Sequence, residues 1–379
     1  MHNRVKVQIS NKVPNGIIRV ITTSVPIEKR SICGFLCNEN DSEEDIDGYA
    51  CILTKDKELY ETNLHPAILL DESIHIQSGD VLQVNKTNQF INFLFRANGN
   101  SNCLFVTDCC NSHCLMCPQP PKEENSVRFS DLQQLINCLP EDLQEICITG
   151  GEPTLLGREL VDLLKQLAGH CPECHVHILT NGRNFKNLNY AYQCLSTGLK
   201  GISFGIPLYS SVEETHDYIV QAHDSFKETI EGIYNLAKLD ASIEIRVVLT
   251  KINSLDLKEL VDFIYHNLPF VDHIALMGME HMGYVKKNWD AVYIDPLDYQ
   301  ESLVSAVRFL RLRGMNVSIY NLPLCILDNR LWKFSRKSIS DFKQGYDETC
   351  KQCELQSQCG GVFVRQKNSM SLRPLSRSG

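Results

Sequence analysis

Apolar residues follow one pattern in the first quarter of the chain and another beyond it. As far as about residue 96 they form short stretches, such as VKVQI, GIIRVIT and VLQV, separated by Asn, Gly, Asp and Pro. Short apolar runs bounded by turn residues are typical of strands. We therefore predict a small β-rich module over residues 1–96.

From Cys103 onward, strand-sized apolar runs alternate with longer amphipathic stretches that have helical spacing. The predicted strands lie at 103–107, 145–149, 175–180, 201–206, 242–250 and 273–278. The predicted helices lie near 130–138, 159–169, 184–197, 225–238, 256–267 and 296–313. Six strand-helix units in series predict a parallel sheet with right-handed crossovers, in an α/β domain over residues 97–314.

The regular alternation stops near residue 315. Residues 315–365 contain four cysteines, and the tail over 366–379 is rich in Ser and Arg, which predicts disorder. In barrel-like α/β folds the chemistry lies where the strands end and the following loops begin. The motifs described next come at such positions.

Composition restricts the class of protein. The formal charge of -9 argues against a general nucleic-acid or lipid-surface binder, which needs a basic face. The sequence shows neither a run of eighteen apolar residues nor a secretory signal, so we expect a cytoplasmic protein that does not enter a membrane. In a reducing compartment its 17 cysteines are expected to be metal ligands or buried thiols.

The loop after the first strand of the α/β domain reads CCNSHCLMCPQP, from Cys109 to Pro120. Cys110, Cys114 and Cys117 have the spacing C-x3-C-x2-C, and three thiolates on a short loop can hold three irons of a four-iron cluster. The fourth iron is then open to a small molecule. The alternative is a structural zinc that also uses Cys109 and His113.

A second motif, GGEPT from Gly150 to Thr154, ends the second strand of this domain. Two glycines allow the backbone to approach a ligand closely, and Glu152 offers an acceptor for an ammonium group. On its own the motif could be only a tight turn between a strand and a helix. After a C-x3-C-x2-C loop it is far more specific.

The pair CNSHCLMC and GGEPT resembles the radical S-adenosylmethionine (radical SAM) superfamily. The resemblance implies a partial (β/α)6 barrel of the TIM type, a [4Fe-4S] cluster on Cys110, Cys114 and Cys117, and S-adenosylmethionine bound to the open iron. Reductive cleavage of that cofactor would give a 5′-deoxyadenosyl radical that abstracts a hydrogen atom. The resemblance also implies a set of cofactor-binding residues: Met116, Gly150, Gly151, Glu152, Thr180, Asn181, Ser203 and Arg246. For Arg246 a surface role is the alternative, and Asn253 is a weaker candidate.

A narrower resemblance covers residues from near 90 to about 365. FVTDCCNSHCLMCPQPP, the stretch from Ile206 to Val220 and the C-terminal cysteine pattern look like the HxsC-type maturases of His-Xaa-Ser systems. This resemblance implies a ribosomally made peptide or small protein as substrate. It also implies an electron donor such as flavodoxin or ferredoxin, and leaves room for a partner maturase.

The second cysteine group lies in the region after the barrel. Cys350, Cys353 and Cys359 follow C-x2-C-x5-C, and Cys325 lies upstream. Four thiolates suffice for a structural zinc or for a fully ligated iron-sulfur cluster, and their spacing does not separate the two. Resemblance to auxiliary-cluster domains of the SPASM or twitch kind favours a second [4Fe-4S] cluster.

Several polar residues follow predicted strands and are candidates for acid or base roles: His216, Asp217, Glu280, His281 and Tyr284. A structural role is the alternative for each of them. Two other functions also remain open from the sequence: radical chemistry on a small molecule such as a nucleoside, and a non-catalytic iron-sulfur or zinc protein that recognises a partner.

Overall fold

A computed structural model describes residues 3–37, 46–62, 64–340, 343–364 and 372–376. Its N-terminal part is a mixed eight-stranded sheet with the order β1-β8-β7-β3-β4-β5-β6-β2. The strands are β1 (Asn3–Lys6), β2 (Gln8–Ile9), β3 (Gly16–Ile21), β4 (Cys33–Leu36), β5 (Cys51–Thr54), β6 (Ala67–Leu69), β7 (Val81–Asn85) and β8 (Phe90–Phe95). Two short helices, α1 (Ile27–Arg30) and α2 (Lys57–Thr62), connect strands.

The hydrophobic residues of these strands form a core of their own, in which Val20, Leu53, Ile68, Leu82 and Ile91 have no exposed surface. The predicted β-rich module is therefore present. Its outermost strands, β1 and β2, are consecutive in the chain, so one segment occupies both edges of the sheet.

The second sheet is entirely parallel, and its seven strands follow one another in chain order. They are β9 (Cys103–Phe105), β10 (Glu145–Thr149), β11 (His175–Leu179), β12 (Gly201–Pro207), β13 (Ser242–Val248), β14 (His273–Met277) and β15 (Val317–Tyr320). The helices between them are α3 (Phe129–Cys138), α4 (Arg158–His170), α5 (Leu188–Leu195), α6 (Glu213–Val220), α7 (Ser225–Ala237), α8 (Leu257–Asn267), α9 (Trp289–Val292) and α10 (Gln300–Leu312).

This arrangement is the predicted partial barrel of six strand-helix units, with one more strand after the last helix. The predicted boundary at residue 314 is too early, because β15 continues the sheet as far as Tyr320. Its four residues, VSIY, are too few to show a strand pattern. Helix α6 was also missed.

The barrel strands separate apolar from polar residues by alternation. Ile178, Ile245 and Ile274 are fully buried and belong to the core that includes the helices. Their neighbours in sequence, such as His177 and Glu244, are only partly buried and lie on the other face of the sheet, since successive side chains of a strand point to opposite sides. The concave face of the barrel is therefore polar.

The region after β15 contains an antiparallel pair, β16 (Gln344–Gly345) and β17 (Val362–Phe363), and several 3-10 turns. Ser335 pairs with Ile319, so this region adds to the edge of the barrel sheet. Most of the tail predicted to be disordered, 366–371 and 377–379, lies outside the described residues. Leu375, in the described part, packs beside Cys353 and Leu324. Among the helices that are described, none is long and apolar enough to cross a membrane.

Candidate active site

The cysteine loop and the GGEPT turn are in backbone contact. Gly151 N–H donates to Thr107 O at 2.7 Å, and Glu152 N–H donates to Cys109 O at 2.7 Å. A Cβ atom on Gly150 would lie 2.5 Å from Thr107 O, and one on Gly151 would lie 2.1 Å from Cys109 O. Both distances are too short for any side chain, so the two glycines are required by the cysteine loop itself.

The thiols of Cys110, Cys114 and Cys117 lie close enough together to influence one another. The pKa of Cys110 is raised to about 12; burial is the largest cause and the nearby Glu152 carboxylate is the next. The pKa of Cys114 is raised more than that of Cys110; burial is the largest cause, and the thiols of Cys117 and Cys110 add to it. Burial also raises the pKa of Cys117. Three partly buried thiols, whose charges raise the pKa of Cys110 and of Cys114, fit a site in which bound iron compensates the thiolate charges.

Side chains from the loop after β11 hold the first half of the cysteine loop. Asn181 Nδ2 donates to Asn111 Oδ1 at 2.6 Å, and Arg183 Nη1 donates to Asn111 O at 2.6 Å. Arg183 is itself fixed by an ion pair with Glu228 at 2.7 Å. The positive guanidinium lowers the pKa of Cys110 and Cys114, against the larger effect of burial, and therefore favours their thiolate forms.

The second half of the loop is held from other strand ends. Leu115 N–H donates to Ile219 O at 2.9 Å, and Asn288 Nδ2 donates to Leu115 O at 2.9 Å. Tyr284 N–H donates to Cys117 O at 2.9 Å. Segments that follow β10, β11, β12 and β14 therefore all contribute to positioning the three thiols, and the one after β12 is helix α6.

Cys109 is separate from these three thiols. Its Sγ lies 3.8 Å from Glu123 O, and Cys109 is not among the groups that affect the pKa of Cys110 or Cys114. His113, the other residue of the zinc alternative, has an exposed side chain. Within the described ranges, no group of three or more His, Cys, Asp or Glu side chains is arranged to hold a single metal ion.

Glu152 joins the ends of β10 and β11. Its carboxylate is fully buried and accepts hydrogen bonds from Thr154 N–H (3.0 Å), Thr154 Oγ1 (2.6 Å), Thr180 Oγ1 (2.6 Å) and Asn181 N–H (2.6 Å). Burial raises the pKa of Glu152, and these hydrogen bonds oppose that rise. Glu152, Thr180 and Asn181, predicted to bind the cofactor, are thus brought together in one network.

Ser203 and Arg246 lie on the concave face of the sheet. Ser203 Oγ is 2.9 Å from His175 Nε2 and 2.8 Å from His177 Nδ1. Arg246 is ion-paired with Glu244, which also contacts His273 Nδ1 at 2.7 Å. Burial is the largest influence on the pKa of Glu244 and raises it, but His273 and Arg246 together bring that pKa below its usual value.

Comparison with known proteins agrees with this geometry. The radical SAM superfamily model matches residues 104–264, a span that includes the three converging cysteines and GGEPT. The chain contains a radical SAM domain. The [4Fe-4S] cluster and S-adenosylmethionine predicted from the sequence are the cofactors of this kind of domain.

Curated relatives match somewhat less than half of the chain. A GTP 3′,8-cyclase of Nautilia profundicola is 30% identical over 182 residues, which are 46% of this chain and 55% of that protein. A GTP 3′,8-cyclase of Campylobacter jejuni is 26% identical over 183 residues, with the same coverage of both chains. The chain thus spans about half of the length of the curated relatives it matches.

Solved structures with a similar fold include anSMEcpe. Its histidine-tagged form with bound AdoMet has a TM-score of 0.51 and 16% identity, and covers 72% of this chain and 88% of that chain. The native protein with bound AdoMet and the Cp18Cys peptide has a TM-score of 0.50 and 17% identity. This match covers 72% of this chain and 92% of that chain. At this identity the likeness shows the fold alone.

Met116 of the radical SAM domain is buried, with 4% of its surface exposed. It belongs to an apolar cluster with Tyr209, Ile219 and Met279, and Cys114 packs against the same cluster. A contact between Met116 and adenine remains a prediction. The cluster places Tyr209 beside the cysteine loop, and Cys114, Cys117 and Arg246 all influence its pKa, which burial raises strongly.

The structure gives His216 and Asp217 structural roles. His216 is 1% exposed, accepts a hydrogen bond from Tyr209 N–H at 3.3 Å, and packs between the rings of Tyr209 and Phe226. Burial lowers the pKa of His216 to about 4, so the ring is neutral at pH 7. Asp217 accepts a hydrogen bond from Phe226 N–H at 2.8 Å, at the start of α7.

The other three acid-base candidates follow β14, near the cysteine loop. Glu280 is ion-paired with Lys343 at 2.9 Å, which ties this loop to the C-terminal region. His281 packs edge-on against Trp289 and Tyr293, and burial lowers its pKa to about 4. Tyr284 contacts Cys117 through its backbone. Their contact with substrate stays a prediction.

Two residues of the site were not found from the sequence. Arg183 follows the predicted motif ILTNG directly, and this closeness was the available signal for it. Tyr209 stands two residues after β12, in a stretch that carries no charge pattern. Both depend on contacts with residues far away in the chain. Asn253, the weakest sequence candidate, is occupied by hydrogen bonds to Thr250 and to Tyr209 O.

The four C-terminal cysteines also come together. Burial raises the pKa of Cys325, and Cys359 and Cys350 raise it further. Burial, Cys350 and Cys353 act in the same way on Cys359. Three backbone N–H groups, those of Leu324, Gly361 and Leu375, lie 3.4 Å from a sulfur of the group. Hydrogen bonds to sulfur are a feature of iron-sulfur sites, so these residues fit a second cluster.

Proposed function

We propose that this radical SAM enzyme modifies a ribosomally made peptide or small protein, as the resemblance to HxsC-type maturases suggests. The observation that carries the proposal is the second group of four thiols, Cys325, Cys350, Cys353 and Cys359, which converge next to the last strand of the barrel. We infer that they hold an auxiliary [4Fe-4S] cluster.

The fold comparison is compatible with this proposal. The match to anSMEcpe covers 72% of this chain, more than the 104–264 span of the radical SAM domain, so the likeness extends beyond that domain. That protein is described with a bound peptide. We infer that this chain binds a peptide as well.

The chain's own residues would bind the cofactors, orient the substrate and shield the site from water. The cofactors, when bound and reduced, supply a 5′-deoxyadenosyl radical. We assign Cys110, Cys114 and Cys117 to the first cluster, Gly150, Gly151 and Glu152 to the methionine moiety, and the polar concave face to the substrate. A flavodoxin or ferredoxin would supply the electron.

A small-molecule reaction is the second candidate. It is favoured by one observation, the 30% identity to a GTP 3′,8-cyclase over 182 residues. We rank it second because the match covers only 55% of that protein, and because the four C-terminal thiols require an explanation in this chain.

Cofactor cleavage is the first test. Anaerobically reconstituted protein is reduced with dithionite, and release of 5′-deoxyadenosine from S-adenosylmethionine is measured. We expect Cys114→Ala to abolish release, because one of three ligands is lost, while Cys109→Ala retains it because that thiol lies outside the group. Undiminished release from Cys114→Ala would refute the assignment of the first cluster.

Substrate class is the second test. The enzyme is co-expressed with short peptides encoded near its gene, and their masses are measured; wild type and Cys114→Ala are compared. A mass change that depends on Cys114 supports the peptide proposal. Turnover of GTP, with no change in any peptide, would instead support the small-molecule reaction.

A further inference from the structure

A cavity of about 580 Å³ opens at the opposite end of the barrel from the cysteine loop. It is lined by His273 at the start of β14, by Val317 and Ser318 in β15, and by side chains of α10 and of the segment after Asn329. The cysteine loop and GGEPT follow the last residues of β9 and β10. All strands of the barrel sheet are parallel, so the two sites lie at opposite ends of its strands.

Three cations surround this cavity: Arg311, Lys333 and Arg336. All three are exposed, and none forms a salt bridge with another residue that the structure describes. The cavity has one carboxylate, that of Asp272, and one of its oxygens accepts a hydrogen bond from Ile243 N–H at 2.9 Å.

Backbone contacts fix the position of one of the cations, Arg336. Arg336 N–H donates to Ile319 O at 2.9 Å, and Arg336 Nη1 donates to Lys333 O and Ser335 O, both at 2.9 Å. The guanidinium is therefore held at the edge strand of the barrel before any ligand arrives. A preformed site binds more tightly because less side-chain freedom is lost on binding.

The remaining wall offers hydrogen bonds and one aromatic face. His273 Nε2 lies 3.0 Å from Ser318 Oγ, and both residues line the cavity. Phe334 also lines the cavity, and Lys333 Nζ lies 5.1 Å from its ring centroid. The cavity therefore combines cations for an anion with an apolar surface for a flat group.

We propose that this cavity binds a phosphorylated small molecule, such as a nucleotide. A phosphate group carries a charge of about -1.5 to -2, which suits three cations better than a single carboxylate does. Arginine pairs bidentately with phosphate, and a volume of about 580 Å³ is in the range of small-molecule pockets. The phosphates would contact Arg311, Lys333 and Arg336, and the flat group would lie beside Phe334.

The test is isothermal titration calorimetry on the anaerobic, cluster-loaded full chain, with inorganic phosphate, GTP and ATP as separate probes. Arg311→Gln, Lys333→Gln and Arg336→Gln are each expected to weaken nucleotide binding about tenfold, because each removes a charge-assisted hydrogen bond. Arg313→Gln is the matched control, since Arg313 is exposed near the same helix end and lies over the Phe309 ring. Its affinity should equal that of wild type.

Three results would overturn the proposal. They are no binding of GTP or ATP to wild type, equal weakening by Arg313→Gln, and tighter binding of a hexaglutamate peptide than of either nucleotide, which would identify a carboxylate site instead. The titrations contain no reductant and measure no turnover. Only nucleotide binding that Arg311→Gln, Lys333→Gln and Arg336→Gln weaken is assigned to this cavity, so GTP bound as a substrate at the cysteine-loop end of the barrel does not support the proposal.

Discussion

At the scale of single residues, the structure separates side chains that shape the site from those that only stand near it in sequence. His216 illustrates the difference. The sequence made it a candidate because it follows a strand, and a helical histidine in ETHDY has no pattern that reveals its burial. Its surroundings, Tyr209 and Phe226, come from other parts of the fold and therefore could not be predicted.

Burial of His216 makes stability depend on pH. The ordinary pKa is 6.5, and the folded value is about 4, so between these values the unfolded chain binds more protons than the folded one. Stability therefore falls as the pH is lowered from about 6.5 to 4. We expect this residue to account for up to about 3 kcal/mol of that loss.

The measurement is the unfolding temperature of the anaerobic protein from pH 7 to pH 4. His216→Gln should show a smaller decrease than wild type, because a glutamine oxygen can accept from Tyr209 N–H without titrating. His266→Gln, at an exposed position, should behave as wild type does. An equal decrease in all three proteins would show that His216 does not contribute.

At the scale of elements, six strands and six helices of the barrel were predicted close to their observed ends. The reason is that buried parallel strands and amphipathic helices have distinct apolar periods. Strand β15 was missed because a four-residue strand after the last predicted helix has no such period. The cysteine spacing and GGEPT could be recognised in the sequence, because each motif lies within a few consecutive residues. The contacts between the loops could not be predicted, because they join residues far apart in sequence.

The contact between the GGEPT turn and the cysteine loop gives a second prediction. Gly151→Ala would put a Cβ 2.1 Å from Cys109 O and must displace the cysteine loop. We expect the variant to lose most of the iron of the first cluster and to be destabilised. Iron and sulfide per chain are measured after reconstitution.

Gly169→Ala is the matched control for this substitution. Gly169 lies in helix α4, is exposed, and a Cβ there would meet no atom within 4 Å. Alanine is a better helix former than glycine by roughly 1 kcal/mol, so this variant should keep its iron and be slightly more stable. Full iron content in Gly151→Ala would show that the loop tolerates the displacement.

At the scale of the whole molecule, two cysteine groups lie in separate parts of the chain and are connected through the fold. Glu280, in the loop after β14, pairs with Lys343, which is in the region of the second group. Ser335 adds to the barrel sheet at Ile319. The C-terminal region is therefore attached to the barrel at both the loop and the edge strand.

We expect the two groups to be loaded independently. Wild type should contain about eight irons per chain if both are four-iron clusters, and the double variant Cys350→Ala/Cys353→Ala, which leaves two of the four C-terminal thiols, should retain about four. The variant should still release 5′-deoxyadenosine, because the three thiols of the first cluster are intact. Substantial zinc in wild type, or loss of all iron in the double variant, would contradict this expectation.

The way the cysteine loop is held also affects when it can be completed during synthesis. Asn288, which donates to Leu115 O, is 173 residues further along the chain. At 5 to 20 residues per second, the ribosome needs roughly 10 to 35 seconds to add that length. For that interval the three thiols leave the ribosome without one of their supports, exposed to oxidants and to competing metals. Iron delivery to this protein is therefore expected to follow the synthesis of α9, and to depend on conditions that protect the nascent thiols until then.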